Sequence, residues 1–405
     1  MKPFEKSLAC AQELDRQDPL ARFRAKFFTP QHQGRDTVYL TGNSLGLEPI
    51  ETKRYLEAEL EQWRTLGVEG HLKGKFPWLP YHEFLTEPLC RLTGARPSEV
   101  VAMNSLTVNL HLMMVSFYRP TTDRHWIVIE DGAFSSDRYA VQSQAEFHGF
   151  AKAVVRLKTE SDSEIIRFIE ENGEKIALVI LGQPNYITGR AFDLEAVARA
   201  TQKAGVVFGV DLAHGIGNLS LNLHDWEIDF AVWCSYKYLN AGPGAIAGCF
   251  VHEKHHAADV PQCAGWWGHD KKSRFLMTDG FKPIPTVERW QVSNPPIFQA
   301  AALRASLSLF DEAGMGEIRK KSERLTAFME FLNPEAELLT PRESARRGSQ
   351  LSFRHKSAEA VVRAMKAQGI IADFRFPDVI RVAPVPFYNS YEDVWHFSEE
   401  LWRHL

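Results

Sequence analysis

Asp211 and Lys237 stand at the ends of short apolar runs in the stretch 206–250, VVFGVDLAHGIGNLSLNLHDWEIDFAVWCSYKYLNAGPGAIAGCF. A glycine-rich turn at 241–244 and a third apolar run, AIAGCFV, follow the lysine. Short continuous apolar runs bounded by turn residues suit strands buried on both faces. Side chains leaving the ends of such strands sit where open α/β sheets place their ligands. An acid and a lysine so placed fit pyridoxal phosphate (PLP) chemistry. The cofactor aldehyde condenses with a lysine amine that has lost its proton, and burial eases that loss by lowering the lysine pKa. The pyridine nitrogen must stay protonated if the ring is to accept electrons from a carbanion, and a buried carboxylate beside it achieves this. Taken singly, the two residues read equally well as a strand-end cap and a solvated surface charge. The pair, with the glycine turn behind it, favours the cofactor.

Holding this pair takes a layered α/β fold. Strand-like runs at 100–103, 126–130, 153–157, 176–181 and 206–211 alternate with helix-like stretches at 106–118, 135–147, 162–172 and 193–204. That alternation implies right-handed βαβ crossovers and a mostly parallel sheet covered by helices. From residue 297 the pattern changes to two helices, short strands at 336–340, 349–354 and 378–382, and a last helix after Asn389. The expected division is a large cofactor-binding domain at 49–296 and a smaller α+β domain at 297–405, which residues 1–48 join. Within 5–28 a helical pattern breaks at Asp18 and Pro19, and an amphipathic helix covers 48–66. The segment GVEGHLKGKFPWLP is too rich in Gly and Pro for regular structure, and loops of this kind often carry function.

Composition narrows the classes. With 47 basic and 51 acidic residues among 405, the net charge is −4, which leaves no electrostatic footprint for nucleic acid or an anionic membrane. No apolar run spans a bilayer, and the first twenty residues hold no signal-peptide core. Five scattered cysteines without a CxxC pair fit a reduced compartment, so a cytoplasmic protein is expected. Two motifs mislead. His252-Glu253-Lys254-His255-His256 fits the H-E-x-x-H of zinc peptidases, but it follows a strand directly and lacks the helix that would align its histidines. Gly215 and Gly217 follow a strand like a dinucleotide fingerprint, but Ser220 takes the third glycine position.

GNSLGLEP (42–49), FSSD (134–137), VDLAHGIGN, SYKYLNAGPG, GWWGHD (265–270), SNPP (293–296) and RVAPVPFYNS (381–390) occur in that order between about Tyr39 and about Ser390. The set resembles the kynureninases, PLP enzymes with the aspartate-aminotransferase fold, also called fold type I. The resemblance implies hydrolysis of the Cβ–Cγ bond of L-kynurenine, or of 3-hydroxy-L-kynurenine, to anthranilate (or its 3-hydroxy form) and L-alanine. The setting would be tryptophan catabolism or NAD biosynthesis, in a homodimer with composite active sites and no metal. It also implies Lys237, Asp211 and Tyr236 as catalytic residues. The implied cofactor contacts are Leu106, Thr107, Phe134, Ser135, Ser136, Asp137, Thr188, Asp211, His214, Tyr236 and Lys237, with Trp266 and Asn294 from the partner subunit. The implied substrate contacts are His71, Ser293, Asn294 and Arg381. Several of these have a physical reading besides. Thr107 follows a strand and opens a helix, where backbone N–H groups bind phosphate, although a lone Thr there is ordinarily an N-cap. Phe134 is placed to stack on a ring, or is simply core. Arg381 offers the planar fork that suits an α-carboxylate.

Rival readings are another fold-type-I enzyme, a zinc peptidase and a non-catalytic binding protein. A cysteine desulfurase needs a nucleophilic Cys before the last strands, and TPRESARRGSQLSF has none. An aminotransferase stays open on these grounds. A binding protein would leave Lys237, Asp211 and Arg381 together unexplained.

Overall fold

The computed structural model describes residues 4–159 and 161–405. Seven strands build the main sheet: β1 (Val100–Ala102), β2 (Trp126–Glu130), β3 (Val154–Leu157), β4 (Ile176–Gly182), β5 (Val207–Asp211), β6 (Phe230–Trp233) and β7 (Gly248–Val251). Their order is β1-β7-β6-β5-β4-β2-β3. Neighbours run parallel except where β7 lies antiparallel between β1 and β6. Helices cover both faces, so these strands are apolar on both sides, which is why they read as unbroken runs. The period of two still sorts them. Val128, Val179 and Val210 pack on the face covered by Asp162–Asn172 and Leu194–Lys203, whereas Ile127, Ile129, Leu178, Ile180 and Val232 face Leu106–Phe117 and Ser135–Phe147. No helix among the described residues is long and apolar enough to cross a membrane.

The second sheet is antiparallel, in the order β8 (Glu337–Leu338), β9 (Leu351–Arg354), β11 (Val379–Val382), β10 (Asp373–Arg375). Its core takes side chains from Met315–Leu332, Ala358–Ala367 and Tyr391–Trp402, and from Ala11 and Leu14 on the first helix, Leu8–Arg16. Strand β10 was not expected from the sequence, because three residues of mixed polarity give no periodic signal. Helix Ile297–Ala313 sends Ala300, Leu303, Leu307 and Phe310 into the core of the large sheet, while the helix after it serves the small one.

The GNSLGL turn stitches the N-terminal segment to the lysine segment. Gly46 N–H donates to the Tyr236 carbonyl at 2.8 Å. A Cβ on Gly46 would lie 2.8 Å from Asn240 Cα and closer still to the Lys237 carbonyl oxygen and Asn240 Oδ1. Backbone cannot yield as a flexible side chain would. Gly46→Ala is therefore expected to cost about 1–3 kcal/mol as an overpacking substitution, read as a lower Tm in thermal denaturation. An unchanged Tm would show that the two segments separate freely.

Candidate active site

Parallel strands end on the same side of their sheet, and four of these ends open into one cleft. Glu130 (end of β2), Gly182 (β4), Asp211 (β5) and Tyr236 with Lys237 (after β6) line it, with Leu106, Thr107, Phe134, Ser136, Asp137, Pro184, Tyr186 and His214. It encloses about 740 Å³ of non-atom space, part of it open to solvent. Lys237 is half-buried, with its Nζ 5.8 Å from the centre of the Phe134 ring and 5.9 Å from that of Tyr236.

The acids are deeper than the lysine. Asp211 is buried and its Oδ1 accepts the Ala213 N–H at 2.7 Å. Asp137, in the first turn of Ser135–Phe147, is buried with an Oδ1 that has no partner of the ordinary donor kind. Burial, reinforced by the neighbouring charge of Asp211, raises the Asp137 carboxyl well above its usual range. Burial raises Asp211 as well, but a hydrogen bond with Asp137 and the charge of Lys237 oppose it. Of the coupled pair, Asp137 is the more strongly raised and so the one that holds a proton more readily, beside the less perturbed Asp211. His214 is buried and held well below its ordinary value by desolvation and by the charges of Lys237 and Arg381, so it stays neutral. Burial raises the Tyr236 phenol, and it pushes the Cys234 thiol up to about 11, which leaves that thiol unreactive.

The fit to a phosphorylated pyridine rests on the cleft's two ends. Helices Leu106–Phe117 and Ser135–Phe147 both begin here, and neither has a side chain capping its first turn. Thr107 Oγ1 and Ser136 Oγ bond to each other at 2.9 Å across the gap. Uncapped helix N-termini flanked by hydroxyls make a phosphate seat. At the other end, the carboxylate Asp211 stands ready to hold a pyridinium proton. The donor set therefore fits PLP.

Several sequence candidates lie elsewhere in this chain. Thr188 is not in the cleft: its N–H and hydroxyl donate to Asn185 Oδ1, and its carbonyl accepts from Thr340 Oγ1 at 2.6 Å. Ser135 opens its helix just beside the lining residues. His71 is exposed against the edge of Trp78. Trp266, 45% exposed, packs on Trp267 and Phe275. Ser293 and Asn294 are exposed ahead of Ile297–Ala313. Arg381 on β11 is fully buried behind Tyr186: its Nε donates to Asp373 Oδ2 at 3.1 Å, Nη2 bonds the same oxygen, and Nη1 donates to the Tyr186 carbonyl.

The HEKHH segment lacks the helix that an H-E-x-x-H zinc peptidase uses to align its histidines. It holds a single short turn, Glu253–His255, and its histidines bond separately to the His224 carbonyl, Asp229 Oδ1 and the Val251 carbonyl, while Glu253 pairs with Arg96. Residues 215–220 form turns with no helix behind them, so no dinucleotide fold starts there. The sequence reading missed Glu130, whose Oε1 accepts the Gly182 N–H at 3.1 Å, and Tyr186 at the cleft wall. Glu130 ends an otherwise apolar run, the same signal that marked Asp211.

Residues 318–401 match the model of the kynureninase C-terminal domain. The chain is 54% identical over 417 residues to the kynureninase of Myxococcus xanthus (strain DK1622), covering 99% of this chain and 98% of that protein. It is 51% identical over 418 residues to that of Koribacter versatilis (strain Ellin345), covering 99% of each. Among solved structures, the apo cysteine desulfurase of Thermococcus onnurineus NA1 superposes with a TM-score of 0.77 at 18% identity, over 91% of this chain and 95% of that one. The cystine C–S lyase C-DES, in complex with cysteine persulfide, gives 0.75 at 17%, over 90% and 97%. At these identities the structures share the fold alone. The sheet order, with a lysine and a buried acid pair at its strand ends, defines a fold-type-I PLP-dependent enzyme. Within that class, the chain belongs to the kynureninase family.

Asp137 gives a pH test on the apoprotein. Its folded pKa is raised, so the native state keeps a proton that the unfolded chain releases above its own pKa of about 3.9. Stability is thus full below that pH and is lost as pH rises toward the folded value. Asp137→Asn does not ionise, so at pH 7 the variant apoprotein is expected to melt a few degrees higher than the parent, the gap closing below about pH 4. Equal melting at pH 7 would mean that Asp137 is ionised in the fold.

Proposed function

We propose that this protein is a PLP-dependent hydrolase that cleaves the Cβ–Cγ bond of L-kynurenine, and of its 3-hydroxy form, giving anthranilate or 3-hydroxyanthranilate and L-alanine in tryptophan catabolism. The end-to-end similarity to kynureninases carries the reading, and the cleft keeps the lysine and acid pair that such chemistry uses. A desulfurase is disfavoured although desulfurases share the fold, since residues 340–353 hold no cysteine.

Bound PLP supplies the electron sink for carbanions formed on the substrate. The residues do the rest. Thr107, Ser136, Tyr236 and the two helix N-termini hold the phosphate. Phe134 flanks the ring. Asp211 keeps the proton on the ring nitrogen, and Asp137, the carboxyl of the pair that holds a proton more readily, stands beside it. Lys237 would anchor the cofactor aldehyde, and its amine, when free, would be the base at the substrate Cα and carry protons onward. His214, uncharged, does not compete with Asp211 for that proton. Arg381, buried against Tyr186 at the cleft wall, is the group that would take the substrate α-carboxylate. The active unit is a homodimer in which Trp266 and Asn294 complete the partner's cofactor site, and His71 and Ser293 the substrate pocket. Their exposure in the single chain supports this, as does an apolar groove of about 1350 Å³ flanked by Phe28, Leu45 and Phe298. Five unpaired cysteines support a reducing, cytoplasmic setting.

Purified holoprotein given L-kynurenine should form anthranilate and L-alanine in equal amounts, with borohydride reduction of the resting enzyme placing a pyridoxyl group on Lys237. Transamination without anthranilate, or a label on another lysine, would overturn the assignment. For the dimer, mixing Lys237→Ala subunits with Asn294→Ala subunits should restore activity, up to about a quarter of the parent's if chains pair at random, since one site per heterodimer is intact. No recovery after verified subunit exchange would place each site within one chain.

A further inference from the structure

Arg381 does not stand alone. Strands β10 and β11 are antiparallel, and Asp373 lies directly opposite Arg381. Arg375, two residues along β10, projects from the same face as Asp373. Asp373 Oδ2 accepts from Arg381 Nε and Nη2 and also from Arg375 Nη2 at 3.0 Å. One carboxylate is therefore shared by two guanidiniums. Hydrogen bonds to Asp373 and Tyr186 use three of the five Arg381 donors and leave two. Arg375 Nε is shielded from water and has no partner among the described residues. Both guanidinium charges, with that of Lys237, bear on His214 in the cleft.

The charge count is informative. Asp373 cancels one guanidinium, and the trio retains a single positive charge. Without Arg375, Asp373 would neutralise Arg381, and the site would offer hydrogen bonds but no net attraction. We propose that Arg375 is a second, specificity-determining guanidinium of the substrate-carboxylate site. It is held beside Arg381 by the shared Asp373 and supplies the charge that selects an α-carboxylate over an uncharged group. This rests on the reading of Arg381 as the carboxylate clamp. It also gives Asp373 a role: it keeps two like charges side by side and fixes the plane of the Arg381 fork, which a lone buried arginine would not hold.

The test uses holoenzyme and two small amines of the same shape, L-alanine with an anionic carboxylate and L-alaninamide with a neutral carboxamide, each titrated while the absorbance of the bound cofactor is followed. For Arg375→Gln the L-alanine dissociation constant should rise about tenfold or more, with L-alaninamide changed less than about twofold, since only the anion loses a Coulombic partner. Arg375→Lys should keep most of the L-alanine affinity, because the charge remains. Unchanged L-alanine binding by Arg375→Gln, or equal losses for both ligands, would overturn the proposal, the second outcome being the mark of a merely structural role. Arg381→Ala separates the two levels. If it abolishes discrimination between the ligands while Arg375→Gln does not weaken it, only the role of Arg375 fails. If Arg381→Ala still discriminates, the carboxylate binds elsewhere and the underlying clamp fails with it.

Discussion

Ionisable groups withdrawn from water must be given a partner or stripped of charge, and the cleft is arranged around that demand. Moving an ion into a low-dielectric interior costs several kcal/mol even after relaxation. Each acid here meets the cost differently. Asp211 accepts from a backbone N–H and is opposed in its rise by Asp137 and Lys237; Glu130 accepts a backbone N–H at Gly182; Asp137 is pushed strongly toward its neutral form. His214 stays neutral for the same reason. These solutions need the strand ends to arrive together, which the parallel sheet ensures, and they need the lysine segment held close, which the Gly46 turn ensures.

The small domain is fastened to this arrangement by polar contacts as well as by apolar packing, in which Ala383, Val385, Phe387 and Tyr388 join the core of the large sheet. Gln350 Nε2 donates to the Tyr186 carbonyl at 3.1 Å, Ser352 Oγ to the Ile187 carbonyl at 2.6 Å, and Asn43 Nδ2 to Gln350 Oε1 at 3.1 Å. All converge on the turn after β4, which forms the cleft wall and receives Arg381 from behind. The position of the guanidinium pair relative to Lys237 is thus set by hydrogen bonds with narrow distance and angle requirements.

The sequence was legible where a single segment decided its own structure. Strands β2, β4 and β5 were placed within a residue, because unbroken Val and Ile runs between turn residues have few other uses. Asp211 and Lys237 stood out by their place at the mouths of such runs, whereas Asp137 came only from the family resemblance. Legibility failed where two segments decide together. Thr188, implied at the cofactor by the resemblance, is held in a local turn by the Asn185 side chain, a contact that no pattern announces. The pairing of Arg381 with Asp373 depends on a hairpin register that three-residue β10 does not announce. His71, Trp266, Ser293 and Asn294 lie exposed outside the cleft of the single chain, and no pattern within that chain encodes what would meet them.

Among the described residues, strand β1 hydrogen-bonds in the sheet only to β7, which follows it by about 150 residues. At roughly 5–20 residues per second of synthesis, β1 leaves the ribosome some 7–30 seconds before its partner exists. During that interval Val100 and Val101 have no ladder, and β6 likewise lacks one neighbour until β7 arrives. The central sheet therefore closes last at the antiparallel strand, with an apolar edge open to chaperones or to wrong partners. Its high contact order makes the nascent chain most vulnerable just before Gly248–Val251 emerges.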